Sequence, residues 1–424
     1  MNTSRIAALM MLLASIMLLT EASAVEDDFT LNVFGNANMD EALDEEDIEY
    51  VHGIIEGTNE VTELADANYD GDVDEEDIAQ IEQIIDGEET ELTLIDSADR
   101  TVTVKKPITR IVPTFPQAIE TLRTLKVPKD HIVGIGTWPT PLDTAFFPEF
   151  VDVPSIGTGW DPNVEEILAL HPDVVLLFGR GGVSDLDSVQ EVLESADITV
   201  LRFKLQTPET YREEVKTLGY VFGRDEAEEY LDWHEEILKS IEERVDMIPD
   251  EDKPKVYFAP SFKEGEYYIY GRYAYIETAG GLDTFADQPD NYVSINPEAI
   301  MAQSPDIIVL VAPWTAGGYD LDASNTSDLE GARNEILSQP EMQNVKAVKD
   351  GQVYVIADHL VAFFPASGCR QIIQLAYQAK WFHPELFEDL DPKAIHQEYL
   401  TRFQGLDIDL DENGVFVYPL EETT

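Results

Sequence analysis

Apolar residues along this chain fall into two rhythms. Short runs rich in Val, Ile and Leu predict buried strands. In the first half they are Arg110-Ile-Val-Pro-Thr, Ile132-Val-Gly-Ile-Gly, Val174-Val-Leu-Leu-Phe and Thr199-Val-Leu-Arg-Phe; later come Lys255-Val-Tyr-Phe-Ala, Ile307-Ile-Val-Leu-Val and Gln352-Val-Tyr-Val-Ile. Residues 92–95 and 101–104 alternate and predict a hairpin turning at Ala98-Asp99. Elsewhere the spacing lengthens to three and four, the helical period. The longest such stretch sets Ala227, Tyr230, Leu231, His234, Ile237, Leu238, Ile241 and Val245 on one face and stops by Pro249. It covers about 22 residues, or roughly 33 Å at 1.5 Å per residue. His234 on that apolar stripe reads as a satisfied core histidine. Strands alternating with helices from residue 92 onward predict an α/β body of two lobes, 92–222 and 249–424, joined by one helix over 223–248.

One unit occurs twice. Glu165-Glu-Ile-Leu-Ala-Leu-His-Pro-Asp and Glu298-Ala-Ile-Met-Ala-Gln-Ser-Pro-Asp each place Glu seven residues before Pro, and an apolar run follows both. Each reads as a short helix, a Pro-Asp break and a buried strand. Two related units imply two related lobes, and lobes enclose a cleft.

Charge divides the chain further. Its 27 basic and 85 acidic residues give a net charge of −58, which repels nucleic acid and anionic lipid and suits a salt-adapted or archaeal setting. Residues 25–96 hold 26 acidic side chains and no Lys or Arg, whereas the remainder to the C-terminus holds 26 basic against 58 acidic. That shift marks a separate module over 25–91. Before it, Arg5, an apolar stretch over 6–19 and Ala22-Ser23-Ala24 predict an export signal over 1–24, so the working location is extracytoplasmic, periplasmic or at the cell surface. Cys369 is the only cysteine, which excludes an internal disulfide.

The acidic module carries a second repeat, offset by 30 residues. Asn36, Asn38, Asp40, Asp44 and Asp47 align with Asp66, Asn68, Asp70, Asp74 and Asp77 at loop positions 1, 3, 5, 9 and 12. Oxygen side chains at that spacing wrap a hard cation such as Ca²⁺. A helical stripe follows each loop, and Gly57 and Gly87 stop the two helices. The pair resembles a dockerin-type, EF-hand-like tandem of calcium loops, a small all-α module. The resemblance implies Ca²⁺ ligands at Asp66, Asn68, Asp70, Asp72 (carbonyl), Asp74 and Asp77, and at Asn36, Asn38, Asp40, Ala42 (carbonyl), Asp44 and Asp47. It also implies a cohesin-like partner. Glu41 stands where the second loop has its sharp-turn Gly71, and Asn36 is neutral, so the first site is expected to be the weaker.

Residues 92–400 resemble the class III, helical-backbone periplasmic binding proteins of ABC importers, through the two Glu…Pro-Asp units, Gly280-Gly-Leu-Asp and Asn344-Val-Lys-Ala-Val-Lys-Asp-Gly-Gln-Val-Tyr. The resemblance implies two Rossmann-like lobes gripping an iron-siderophore, haem or cobalamin-like chelate of Fe or Co. It also implies that Glu165 and Glu298 engage arginines of the membrane permease. Cleft residues should sit on loops after strand ends. Candidates are Phe115, Trp138, Arg180, Tyr270, Arg272, Tyr273, Trp314, Tyr319, His359 and Phe363, with Tyr267 and Phe364 beside them. The aromatics supply apolar faces and the arginines paired hydrogen bonds to ligand oxygens.

Three other classes compete. A bare Zn²⁺ or Mn²⁺ receptor would need several His, and of seven only His131 and His359 fall near predicted strand ends. An assembly or adhesion protein would act through the calcium module. A hydrolase is disfavoured, because Gly-x-Ser-x-Gly and His-Glu-x-x-His are both missing.

Overall fold

The computed structural model describes residues 29–137, 143–179, 186–263, 265–288, 292–361 and 369–420. The leader over 1–24 lies outside them, as do Trp138, Arg180, Phe363 and Phe364.

Each acidic loop leads into a helix, α1 (Glu45–Ile55) and α2 (Glu75–Asp86). Both open on reciprocal capping boxes, Asp44 with Asp47 and Asp74 with Asp77, which satisfy backbone amides that a helix start leaves free. Gly87 ends α2 in the left-handed region at φ 67°. The apolar face of the module is buried through Val51, Ile78, Ile81 and Ile84, in a core continuous with that of the first lobe. The hairpin β1 (Glu91–Ile95) and β2 (Thr101–Lys105) cements the junction, since Val33 bridges to Leu94 and Ile95 N–H donates to the Asn32 carbonyl at 2.9 Å.

In the first lobe, β3 (Ile111–Pro113) leads into α3 (Pro116–Thr124), followed by β4 (Ile135–Thr137), α4 (Val164–Leu170), β5 (Val174–Phe178), β6 (Thr199–Phe203) and α5 (Pro208–Phe222). The parallel sheet runs β3-β5-β6, and β4 starts a smaller neighbouring sheet. The expected strand over 132–136 is therefore shorter. Ile132 makes one bridge to Ile111, and regular pairing starts only at Ile135. Inside β4 the chain passes close to the Thr114 backbone, where a Cβ at Gly136 would lie 1.8 Å from the carbonyl oxygen.

The linking helix α6 (Glu226–Val245) has 20 residues and buries Tyr230, Leu231, Trp233, His234, Ile241 and Val245. The second lobe holds β7 (Lys255–Ala259), β8 (Leu282–Asp283), α7 (Pro297–Gln303), β9 (Ile307–Ala312), β10 (Val353–Ala357), α8 (Gln371–Phe382) and β11 (Val417–Tyr418). Its sheet runs β8-β7-β9-β10-β11, parallel from β8 to β10 and closed by an antiparallel β11. The architecture is α/β, as the sequence pattern predicts.

The repeated unit has a mechanical explanation. Asn163 caps α4 and Asn296 caps α7, and the two helices end on left-handed residues, His171 and Ser304. The Asp of each Pro-Asp then pins the neighbouring strand. Asp173 Oδ2 accepts from the amides of Thr109 (2.7 Å) and Arg110 (2.9 Å), and Asp306 Oδ2 accepts from that of Lys255 (2.8 Å).

Candidate ligand-binding cleft

Where the lobes meet lies a cavity of about 370 Å³. The first lobe contributes Phe178 at the end of β5, Lys204 just after β6, and the start of α5; the second contributes Tyr270, Arg272, Ala274 and Tyr275. A second cavity of about 280 Å³ shares Pro208, Glu209, Arg272, Ala274 and Tyr275 with it and reaches back to His234 and Leu238 on the linking helix. The first turn of α8 supports the floor: the Tyr275 hydroxyl donates to Gln371 Oε1, and Gln374 pairs with the Tyr273 hydroxyl at 2.7 Å.

Of the candidates named from the sequence, Tyr270 and Arg272 line the larger cavity. Arg272 already pairs with Glu277. Trp314, Tyr319 and His359 form a second group, with the Trp314 and His359 rings stacked 3.8 Å apart and Tyr319 edge-on to His359. Phe115 and Tyr273 need correction. Phe115 is fully buried at the start of α3, edge-on to Phe178 at 5.4 Å. Tyr273 is fully buried under the cleft, its ring stacked on Phe258 at 4.1 Å. Both sit one layer too deep because packing took their apolar surface. Tyr267 is likewise buried. Glu165 and Glu298 are exposed in the first turns of α4 and α7.

A buried ion pair between the lobes was not foreseen. Arg370, preceding α8, is 1% exposed and makes a two-pronged ion pair with Glu120 of α3, at 3.0 and 3.1 Å. Tyr399 donates to Glu120 at 2.5 Å, the Phe146 ring stacks 4.1 Å from the guanidinium, and Tyr319 joins Arg370 to His396. The pair ties the two lobes together. One signal was readable: Gln371, Gln374 and Gln378 form a polar stripe on an otherwise apolar helix, and all three are buried. Glu120 carried no such mark.

Burial governs the titratable groups here. It holds His234, His359 and His396 down to about 3, with Arg370 adding to the effect on the latter two. It pushes Asp358 up to about 7 and Asp283 to about 6. His234 is buried as expected, yet neither ring nitrogen has a hydrogen-bond partner among the described residues. With a folded value near 3 against an ordinary 6.5, it is the unfolded chain that takes the proton first as pH drops. Its contribution is complete above pH 6.5 and is lost as pH falls toward 3. His234→Leu should therefore gain about 2 kcal/mol on the parent between pH 7.5 and pH 5, measured by urea unfolding at both pH values. Parallel pH profiles would contradict this.

Two lobes on a rigid helix, with an aromatic-walled cavity between them, define a solute-binding protein. The chain belongs to the periplasmic binding protein family, whose model matches residues 111–360. It is 25% identical over 304 residues to the uncharacterised ABC transporter substrate-binding lipoprotein YvrC of Bacillus subtilis, covering 70% of this chain and 87% of that one. It is 27% identical over 270 residues to the high-affinity heme uptake system protein IsdE of Staphylococcus aureus, covering 62% and 84%. Its fold matches the TroA-like periplasmic binding protein FepB from Veillonella parvula, with TM-score 0.62, 24% identity and coverage of 77% and 98%. The protein is thus an extracytoplasmic solute-binding protein of the ABC-transporter type. Its family role is binding, not catalysis. No described helix is long and apolar enough to cross a membrane. The relatives and solved structures give the bare-ion receptor reading no support.

Proposed function

We propose that the solute is a metal chelate of the siderophore, haem or cobalamin type, an Fe or Co complex held between the lobes and delivered to the permease. The carrying observation is the cavity of about 370 Å³ walled by Phe178, Tyr270 and Tyr275, at the scale of small-molecule sites. The haem-uptake relative supports the class. Titrating the full-length protein with ferric hydroxamates, haem and cobalamin, followed by tryptophan quenching, should give saturable 1:1 binding of at least one. Failure of all three, with binding of a bare ion or oxyanion, overturns the reading.

The N-terminal module is a calcium-stabilised brace in this proposal. In its second loop, Asp66 accepts from the amides of Asp70 (3.1 Å) and Gly71 (2.9 Å), and buried Asp77 accepts from those of Asn68 (3.1 Å) and Asp74 (2.8 Å). Asp66, Asn68, Asp70, Asp74, Asp77 and the Asp72 carbonyl would give Ca²⁺ an all-oxygen donor set, and the ion would offset the burial that raises the Asp77 carboxyl. The first loop differs. The Asn36 amide donates to the Leu31 and Asp40 carbonyls, leaving its own buried oxygen without a partner among the described residues. Its other donors, Asn38, Asp40, Asp44, Asp47 and the Ala42 carbonyl, match the second loop, and the neutral Asn36 with Glu41 in place of the turn glycine makes it the weaker site.

Contacts to the lobe favour a brace over a free arm for a cohesin-like partner. Leu43 N–H reaches the Tyr220 hydroxyl at 3.2 Å, Asn32 donates to Glu213 at 2.6 Å, and Glu41 lies 3.8 Å from Arg212. Calcium chelation should lower the melting temperature of the full chain by several degrees, and Asp66→Ala with Asp77→Ala should remove that response. A melting curve indifferent to calcium would refute the site.

A further inference from the structure

The smaller of the two inter-lobe cavities, about 280 Å³, lies against the linking helix. Its apolar wall is Leu238 of α6, Ile372 and Leu375 of α8, Pro208 of α5, and Ala274 and Tyr275 of the short helix Ala274–Thr278. Glu209 and Glu242, both exposed, border the same space. Leu238 belongs to the apolar stripe of α6. Tyr230, Leu231, Ile241 and Val245 of that stripe are buried in the core, whereas Leu238 borders the cavity and stays half-buried. An aliphatic surface held open to water beside a binding cleft gains free energy when an apolar group covers it.

The cavity is continuous with the cleft. Pro208, Glu209, Arg272, Ala274 and Tyr275 line both spaces. Arg272 pairs with Glu277, but the two side chains are 59% and 40% exposed, and an ion pair so open to solvent stabilises little. Displacing it to admit a ligand group therefore costs little. The shared walls also argue against an independent effector, because a second molecule would compete with the solute for the same five residues. We propose that the two cavities form one solute site, with the chelate head in the larger and an unbranched aliphatic arm of the same molecule in the smaller, against Leu238, Ile372 and Leu375. The site thereby favours chelates that carry such an arm over compact ones.

This inference rests on the chelate reading above, and the test separates the two. Full-length protein at pH 7.5 is titrated calorimetrically with ferrioxamine B acylated at its amine by an acetyl or a hexanoyl group, so that the iron-binding head is constant and only the arm grows. The parent should bind the hexanoyl derivative roughly tenfold or more tighter, the scale of burying several methylenes. Leu238→Trp, which puts an indole into the smaller cavity, should cut that ratio to about twofold or less, since the methylenes then find no apolar wall to cover. Thr278→Phe fills the same cavity from another wall and should do likewise; the ratio within each variant is the readout, and matched melting curves confirm folding. A ratio near one in the parent, or a ratio that survives both variants, overturns the arm site, while saturable binding of the acetyl derivative keeps the chelate reading. If neither derivative binds, the arm site falls, and titration with haem and cobalamin then judges the chelate reading by itself.

Discussion

Arg370→Met should cost about 3–5 kcal/mol of folding stability, the largest effect of any single change considered for this protein. The substitution removes the guanidinium that pairs through two hydrogen bonds with Glu120, whose fully buried carboxylate also accepts from the Tyr399 hydroxyl. A buried carboxylate that has lost its counter-charge is far more damaging than a missing pair. The double substitution Glu120→Leu with Arg370→Met should therefore recover most of the loss, because neither charge remains to be desolvated. Urea unfolding of the two single variants and the double supplies the cycle. A cost below about 1 kcal/mol for Arg370→Met would mean that water reaches Glu120, against its complete burial. Since Glu120 lies on α3 and Arg370 precedes α8, the variant should also loosen the lobes, raising hydrogen exchange at the cleft ends of both helices.

Reversing Glu165 and Glu298 to Lys should reduce import by two orders of magnitude or more and leave chelate affinity within about twofold, because like charges placed across an interface cost several kcal/mol. Both side chains are exposed at matching places in the repeated units, each in the first turn of a helix capped by Asn. The helix dipole favours an acid there, but only by about 0.3–1 kcal/mol, so the fold should tolerate the change. Uptake into vesicles carrying the cognate permease, beside solution titration of the chelate, separates docking from binding. Unimpaired uptake by the double variant would remove both residues from the permease contact.

Much of the frame was legible in one dimension. Shortness and β-branched content decided strand at β5 and β9, where period alone is silent, and the stripe at three and four residues decided helix at α6. The duplicated Glu…Pro-Asp unit announced two lobes because its Asp performs the same backbone task in each, at Asp173 and Asp306. The capped helices after the acidic loops were readable for the same reason: capping is local chemistry.

Depth was not legible. Phe115 and Tyr273 follow the rule for cleft residues in sequence, yet Phe178 and Phe258 cover them; Glu120 and Arg370, 250 residues apart, meet only because α3 and the start of α8 are pressed together. Local hydrogen bonding and hydrophobic period act over a few residues, so the amino-acid sequence alone determined the elements, the two-lobed plan and the acidic module. Which side chains end at the cleft surface, which sink beneath it, and which polar atoms are left facing each other across the lobes was decided by the packing of distant segments, since burial is a property of the assembled surface and not of any one stretch of chain.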